Sequence, residues 1–209
     1  MSQGKVKPNS QKTITKKKLI GKPGVSLLLV DLGSPYNIGN IIRTCWVLGG
    51  KRVQLFIYDP RNRLEEGRGN IDLSSVALAD KDGAYTKVDD LEEFLSSYPG
   101  RIIATDVSKQ ATVLGDFKFQ KGDLILLGNE NRGYRNENLV EHPGIEQINE
   151  RLIIPMLGEG HDLPDRGKVI PKEYGKYLNL NVAATVTIVL YAALEQLDCF
   201  KDFDFEGFD

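Results

Sequence analysis

The stretch that constrains the chain most is residues 124–133, which read LILLGNENRG. Four aliphatic residues closed by a glycine, then by amide and charged side chains, read as a buried strand ending in an exposed loop. In α/β sheets, ligands sit where strands deliver such loops at their carboxyl ends, so a functional site is expected here. Similar apolar runs predict further strands at Val25–Val30 (VSLLLV), Val53–Tyr58 (VQLFIY), 85–88, 101–105 (RIIAT) and 152–154. Between the first two, Ile38, Ile41, Ile42, Cys45 and Val47–Leu48 recur at helical spacing. That spacing predicts a helix over 37–48, ended by Gly49-Gly50. Strand, helix, strand implies a parallel pair. Asp89-Asp90 opens a helix running to Ser97, with acids where the helix dipole favours them. Further helices are expected at 71–79 and 182–197. The alternation implies an α/β domain with a mostly parallel sheet.

At 209 residues and 41% hydrophobic content, the chain suffices for one domain. No apolar run approaches the length of a membrane-spanning helix, and the polar, Lys-rich start is not a secretory signal. Two widely spaced cysteines and two histidines offer no metal-ligand spacing. No metal is expected, and a reduced, cytoplasmic setting fits. Charge is distributed unevenly. Residues 1–22 hold seven Lys and no acid, leaving the other 187 residues with 20 basic against 29 acidic groups. A basic disordered arm on an acidic body can gather a polyanion; a solubilising tail is the plain alternative. The expected organisation is an arm (1–22), one domain (23–199) and an acidic, Phe-bearing tail (200–209). Arg61, Arg63 and Arg68, in a charged loop over 59–70, are either phosphate contacts or a solvated surface.

Three clusters carry candidate chemistry. In the first, Asn37-x-Gly39-Asn40-x-x-Arg43-Thr44, Asn37 stands where a helix N-cap belongs and Gly39 permits close backbone approach. Arg43, six residues on, is expected to project from roughly the same sector; a capped helix with a surface Arg is the alternative. In the second, Gly128-Asn129-Glu130-Asn131-Arg132-Gly133, two glycines bound a tight loop with exposed amides. Neither the dinucleotide fingerprint nor a phosphate loop is present, and Glu130 reads either as functional or as an acceptor stapling its own loop. In the third, Ile154-Pro155-Met156 is followed by Tyr177-Leu178-Asn179-Leu180-Asn181, which leads into a helix opened by small residues. Asn179 and Asn181 stand where caps and amide-edge contacts belong.

Together and in this order, NIGNIIRT with the following Gly49, LLGNENRG, and IIPM followed by LNLNVAA resemble the three motifs of the SpoU (TrmH-like) branch of the SPOUT RNA methyltransferases. The resemblance covers roughly residues 25–197. It implies an α/β fold, a parallel sheet flanked by helices, whose C-terminal part is threaded through a deep trefoil knot, an exception to the rule against knots. It implies a homodimer, S-adenosyl-L-methionine (SAM) as methyl donor, and methyl transfer to a ribose 2′-hydroxyl of tRNA or rRNA. Carried over by position, Arg43, Asn37, Glu130 and Asn179 match the motif residues assigned to catalysis. Backbone at Ala104, Thr105, Gly128, Asn129, Ile154, Pro155, Met156, Tyr177 and Leu178 matches the cofactor pocket.

Two departures stand out. Tyr177 occupies a position commonly held by Ser. The segment 157–176 runs to twenty residues where the family usually has a handful; long loops in compact domains are usually functional, and a lid or substrate contact is expected. Three rival readings are a catalytically silent RNA-binding member of the family, a methyltransferase acting on a base, and a generic α/β nucleotide-binding enzyme, against which the missing phosphate loop counts.

Overall fold

The strands at the centre of this sheet are apolar at almost every position because both faces are covered. The computed structural model describes residues 24–62, 64, 84–157, 180–201 and 203. Among them, β1 (Val25–Val30) leads into α1 (Pro35–Thr44), a π-helical turn (Cys45–Gly49) and β2 (Val53–Tyr58). Then come β3 (Thr86–Val88), α2 (Leu91–Ser97), β4 (Ile102–Thr105), β5 (Thr112–Val113), β6 (Leu124–Leu127), β7 (Glu150–Ile153) and α3 (Val182–Gln196). The seven strands form one sheet in the order β3-β2-β1-β6-β4-β7-β5, with every pairing parallel.

Side chains alternate across the sheet. Leu27, Leu29, Leu55, Ile57, Ile103, Ile125 and Leu127 enter one core with Ile38, Ile41 and Ile42 of α1 and Val186, Val189, Leu190 and Leu194 of α3. Leu28, Val30, Phe56, Ile102, Ala104, Leu124 and Leu126 enter the other, beneath Leu91 and Leu95 of α2. Strands covered twice lose the apolar–polar alternation and read as continuous runs.

The elements depart from expectation where a strand reaches an edge or a cap intervenes. Helix α1 begins at Pro35, not residue 37. Ser34 is its N-cap, with Oγ accepting from the Asn37 backbone N–H at 3.4 Å, and Pro stands in the first turn, where its missing N–H costs nothing. β7 begins at Glu150, earlier than the apolar run suggested. Its first two side chains are paired: Glu150 with Arg101, and Arg151 with Asp106 at 2.5 Å. The exposed two-residue edge strand β5 and a 3-10 turn at Ile145–Gln147 were not anticipated. The expected arm (1–22), the helix at 71–79, most of the long insertion and most of the tail lie outside the described residues.

Candidate active site

Two loops at the carboxyl ends of the central strands, 31–34 after β1 and 128–142 after β6, meet over the sheet. The second is drawn tight at its base. The Asn129 N–H donates to the Gly133 carbonyl at 2.7 Å and the Gly133 N–H to the Asn129 carbonyl at 2.9 Å. A Cβ on Gly128 would lie 2.6 Å from the Gly133 carbonyl carbon and oxygen, and Gly133 itself has φ +60°. Only glycine fits the first position, and the second is a left-handed one. Asn129 locks the loop to its neighbour: its Nδ2 donates to the Asp31 carbonyl at 2.6 Å, and its Oδ1 accepts from the Asn131 N–H at 3.0 Å.

This closure aims Glu130 at the start of α1. One carboxylate oxygen accepts from the Gly33 N–H at 2.8 Å. The other accepts from the Ser34 N–H at 3.3 Å and from Asn37 Nδ2 at 2.7 Å. A carboxylate only accepts, so the Asn37 amide must turn its NH2 towards Glu130. Its Oδ1 then accepts from Asn181 Nδ2 at 3.0 Å. Asn181 caps α3, its own Oδ1 accepting from the Ala183 N–H at 2.9 Å. The first and second clusters, and Asn181 of the third, thus join in one hydrogen-bonded line from helix α3 to a carboxylate.

Asn37 is therefore not the helix cap. It lies inside the first turn and is buried, freed by Ser34 for the contact with Glu130. Arg43 does not share its sector. Six residues at 3.6 per turn leave the two about 120° apart, and Arg43 is exposed. Among the described residues it makes no hydrogen bond to the Asn37–Glu130–Asn181 line. Sequence reasoning placed Asn181 before the helix but gave the third-cluster role to Asn179, which lies outside the described residues, as do Tyr177 and Leu178.

The other residues expected at a cofactor pocket fall along one edge, because β6, β4 and β7 are neighbours. Thr105 Oγ1 donates to the Leu126 carbonyl at 3.0 Å. The buried Tyr134 hydroxyl reaches the carbonyls of Thr105 and Leu126, each at 2.9 Å. Burial pushes the Tyr134 phenol up, keeping it a donor. Ala104 is fully buried, whereas Ile154, Pro155 and Met156 continue from β7 half-buried or exposed.

A second polar cluster joins Arg61 and Arg132, from two stretches the sequence marked out, to Asp31 and His142, which it did not. Asp31, buried and at φ +51°, takes Arg61 on one oxygen (2.7 Å) and Arg132 on the other (2.9 Å). His142 Nε2 stands 3.9 Å from Asp31 and, among the described residues, has no hydrogen-bond partner, nor has Arg132 Nε. Burial lowers the His142 pKa from its ordinary 6.5; Asp31 opposes this, and Arg132 and Arg61 add to it. A histidine depressed in the fold contributes stability that is present above the unfolded pKa of about 6.5 and is lost as pH falls through the folded value. Urea midpoints of the native chain are expected to drop between neutral and mildly acid pH, and those of His142→Gln to drop less. Parallel pH profiles for the two would show that His142 does not carry the effect.

Residues 24–163 match the model of the SpoU rRNA Methylase family. Among solved structures, the chain is 25% identical, over 85% of its length and 99% of the other chain, to one giving insights into the 2-OH methylation of C/U34 on tRNA, with TM-score 0.58. The A. aeolicus TrmH/SpoU tRNA modifying enzyme shares the fold at 21% identity and TM-score 0.61, over 86% of this chain and 78% of that one. So does the SpoU methyltransferase AviRb from Streptomyces viridochromogenes in complex with AdoMet, at 21% identity and TM-score 0.54, over 84% and 61%. No curated protein sequence matches. With the match spanning well over half of its residues, the chain belongs to the SpoU rRNA methylase family.

Proposed function

We propose that this chain transfers a methyl group from SAM to a ribose 2′-hydroxyl of tRNA or rRNA. The observation that carries the reading is the line Glu130–Asn37–Asn181, which fixes three separate sequence motifs in one geometry. SAM, when bound, supplies an electrophilic methyl carbon on a sulfonium leaving group. The edge formed by Thr105, Gly128 and residues 154–156 suits it. Half-buried Ile154 and Met156 offer apolar contact, and backbone amides and carbonyls of such loops can read an adenine edge. Tyr177, Leu178 and Asn179 are assigned to the same pocket and site from their motif positions.

Arg43 acts on the RNA. A guanidinium keeps its proton in proteins, so Arg43 holds the phosphate beside the target ribose as a fixed fork and favours the emerging alkoxide. Its exposure fits a group that waits for an external anion. Arg43→Ala is expected to change stability by less than about 0.5 kcal/mol and to lower kcat/KM about 100-fold or more. Arg43→Lys should recover little, since the fork is not reproduced. Near-native turnover in Arg43→Lys would remove the fork from the account.

Asn181 is a positioning residue. Asn181→Ser keeps a cap for α3 but cannot reach Asn37. The expected result is a stability loss of about 1 kcal/mol, from the stranded Asn37 oxygen, with kcat lowered about tenfold by the lost amide–amide hydrogen bond. An unchanged kcat would reduce Asn181 to a cap.

A trefoil knot and a homodimer belong to the same reading. The order β6-β4-β7, in which spatial neighbours are out of sequence order, supports the first. The exposed Trp46, Val47, Ile188 and Tyr191, on the π turn and α3, support the second. The Lys-rich residues 1–22 are assigned to phosphate contact, and the segment 157–176 to a lid or substrate contact. Calorimetric titration with SAM and with its demethylated product tests the cofactor assignment: micromolar binding of both is expected, and absence of either would favour a silent RNA-docking role.

A further inference from the structure

The carboxyl ends of β1 and β2 frame a second concavity, on the α2 side of the sheet where Tyr58 packs. It is an open pocket of about 370 Å³, lined among others by Tyr58, Pro60, Arg61, Asn136, Asn138 and His142. That volume lies within the range of small-molecule sites. One wall belongs to the loop that carries Glu130. The other includes Asp31, whose carbonyl is held by Asn129. The pocket and the Glu130 line are thus built from the same two loops.

The lining chemistry restricts the occupant. Arg61 donates Nε to Asp31 Oδ1 and NH1 to Glu137 Oε1, each at 2.9 Å, so its charge is already met by two carboxylates. Arg132 is engaged with Asp31 as well. A phosphate here would face Asp31 and Glu137 without a cation left to receive it. A flat, uncharged ring with polar edges meets better partners. The rings of Tyr58 and His142 stand edge to face, 5.5 Å apart at 86°, and offer an aromatic corner. Burial, with Asp31 and Asp90, raises the Tyr58 pKa and keeps its hydroxyl a donor. Asn136 Oδ1 is taken by the Asn138 and Val140 N–H groups. The Asn138 amide is exposed and, among the described residues, makes no side-chain hydrogen bond, so both its donor and its acceptor are available. Sequence-selective RNA sites use unstacked bases held against aromatic rings and read along their edges.

Resting on the RNA methyl-transfer reading, we propose that this pocket takes one unpaired nucleobase of the substrate RNA, stacked at the Tyr58–His142 corner and read by the Asn138 amide. The site would then select substrate by sequence on one side of the loop and transfer methyl on the other.

The test is an NMR titration of the isotope-labelled full chain with cytidine, uridine, adenosine and guanosine, and with ribose 5-phosphate as the phosphate probe. At least one nucleoside should shift the Tyr58, Asn138 and His142 resonances saturably at millimolar concentration, and Asn138→Ala should weaken that binding about fivefold. Ribose 5-phosphate should leave them unmoved. Exposed Asn138 can be truncated without risk to the core, so the variant stays informative where Tyr58→Ala does not fold. No nucleoside response at these residues, or an equal response to ribose 5-phosphate, overturns the proposal. SAM titrated into the same sample reports through residues 128 and 154–156. A SAM response without a nucleoside response sinks the base pocket alone. A nucleoside response without a SAM response keeps the pocket and sinks the methyl-transfer reading.

Discussion

Glu130→Ala is expected to lower methyl transfer by about 100-fold or more while leaving SAM affinity within a few-fold of native. The carboxylate accepts from two backbone N–H groups at the start of α1 and from the Asn37 side chain. Truncation leaves all three donors without it. Gly33 is exposed and Ser34 half-exposed, so water replaces the carboxylate there at small cost. Asn37 is 9% exposed, and its stranded NH2 carries most of the penalty, about 1–3 kcal/mol. With Asn37 released, its hold on Asn181 loosens and the first and third motifs lose register. Glu130→Gln separates shape from charge. An amide has one acceptor oxygen and one NH2, so at least one of the three donors meets another donor, and an intermediate loss is expected. Initial-rate assays on both variants, beside SAM titration, check this. A Glu130→Ala enzyme with native kcat would mean that Glu130 only staples its loop.

Gly128→Ala should be the more damaging change to the fold of the site. The added Cβ would sit 2.6 Å from the backbone carbonyl of Gly133, a distance that backbone cannot relieve without opening the Asn129–Gly133 pair. A cost of about 3 kcal/mol is expected from overpacking of this kind, with loss of SAM binding and of Glu130 placement together. Gly133→Ala provides the internal comparison. Its Cβ would meet nothing within 4 Å, but φ is +60°, so its cost is the left-handed penalty alone, about 1–2 kcal/mol. Thermal melts and SAM titrations of the pair check the ordering. If Gly128→Ala melts with the native chain, the closure of the loop does not depend on the glycine. Because the substitution acts on the loop itself, lost SAM binding in this variant reports the closure as much as any direct contact.

The central sheet was legible because of burial. β1, β2 and β6 are covered on both faces, so their residues are nearly all apolar and their ends stand out in the sequence. The two strands at the β5 end of the sheet gave weaker signals. The start of β7 is hidden by Glu150 and Arg151, whose partners Arg101 and Asp106 are remote in sequence, and β5 is two exposed residues. In the site, the motifs singled out Asn37 and Glu130, which the structure joins by a hydrogen bond, but not that Ser34 caps the helix and releases Asn37 inward. Asn181 was visible as a cap or amide contact, but its partner Asn37, 144 residues away, was not. Arg61 and Arg132 stood in stretches that the sequence marked out, but their meeting with Asp31 and His142 was not legible. The four are common residue types brought together only by strand order.

The measurement that tests the central claim most directly is product mapping. The purified chain is incubated with methyl-labelled SAM and total tRNA and rRNA, and the RNA is digested to nucleosides. Label in a 2′-O-methylated nucleoside, absent when Arg43→Ala replaces the native chain, is the predicted result. Label in a base-methylated nucleoside, or none in any RNA while SAM binds, would contradict it.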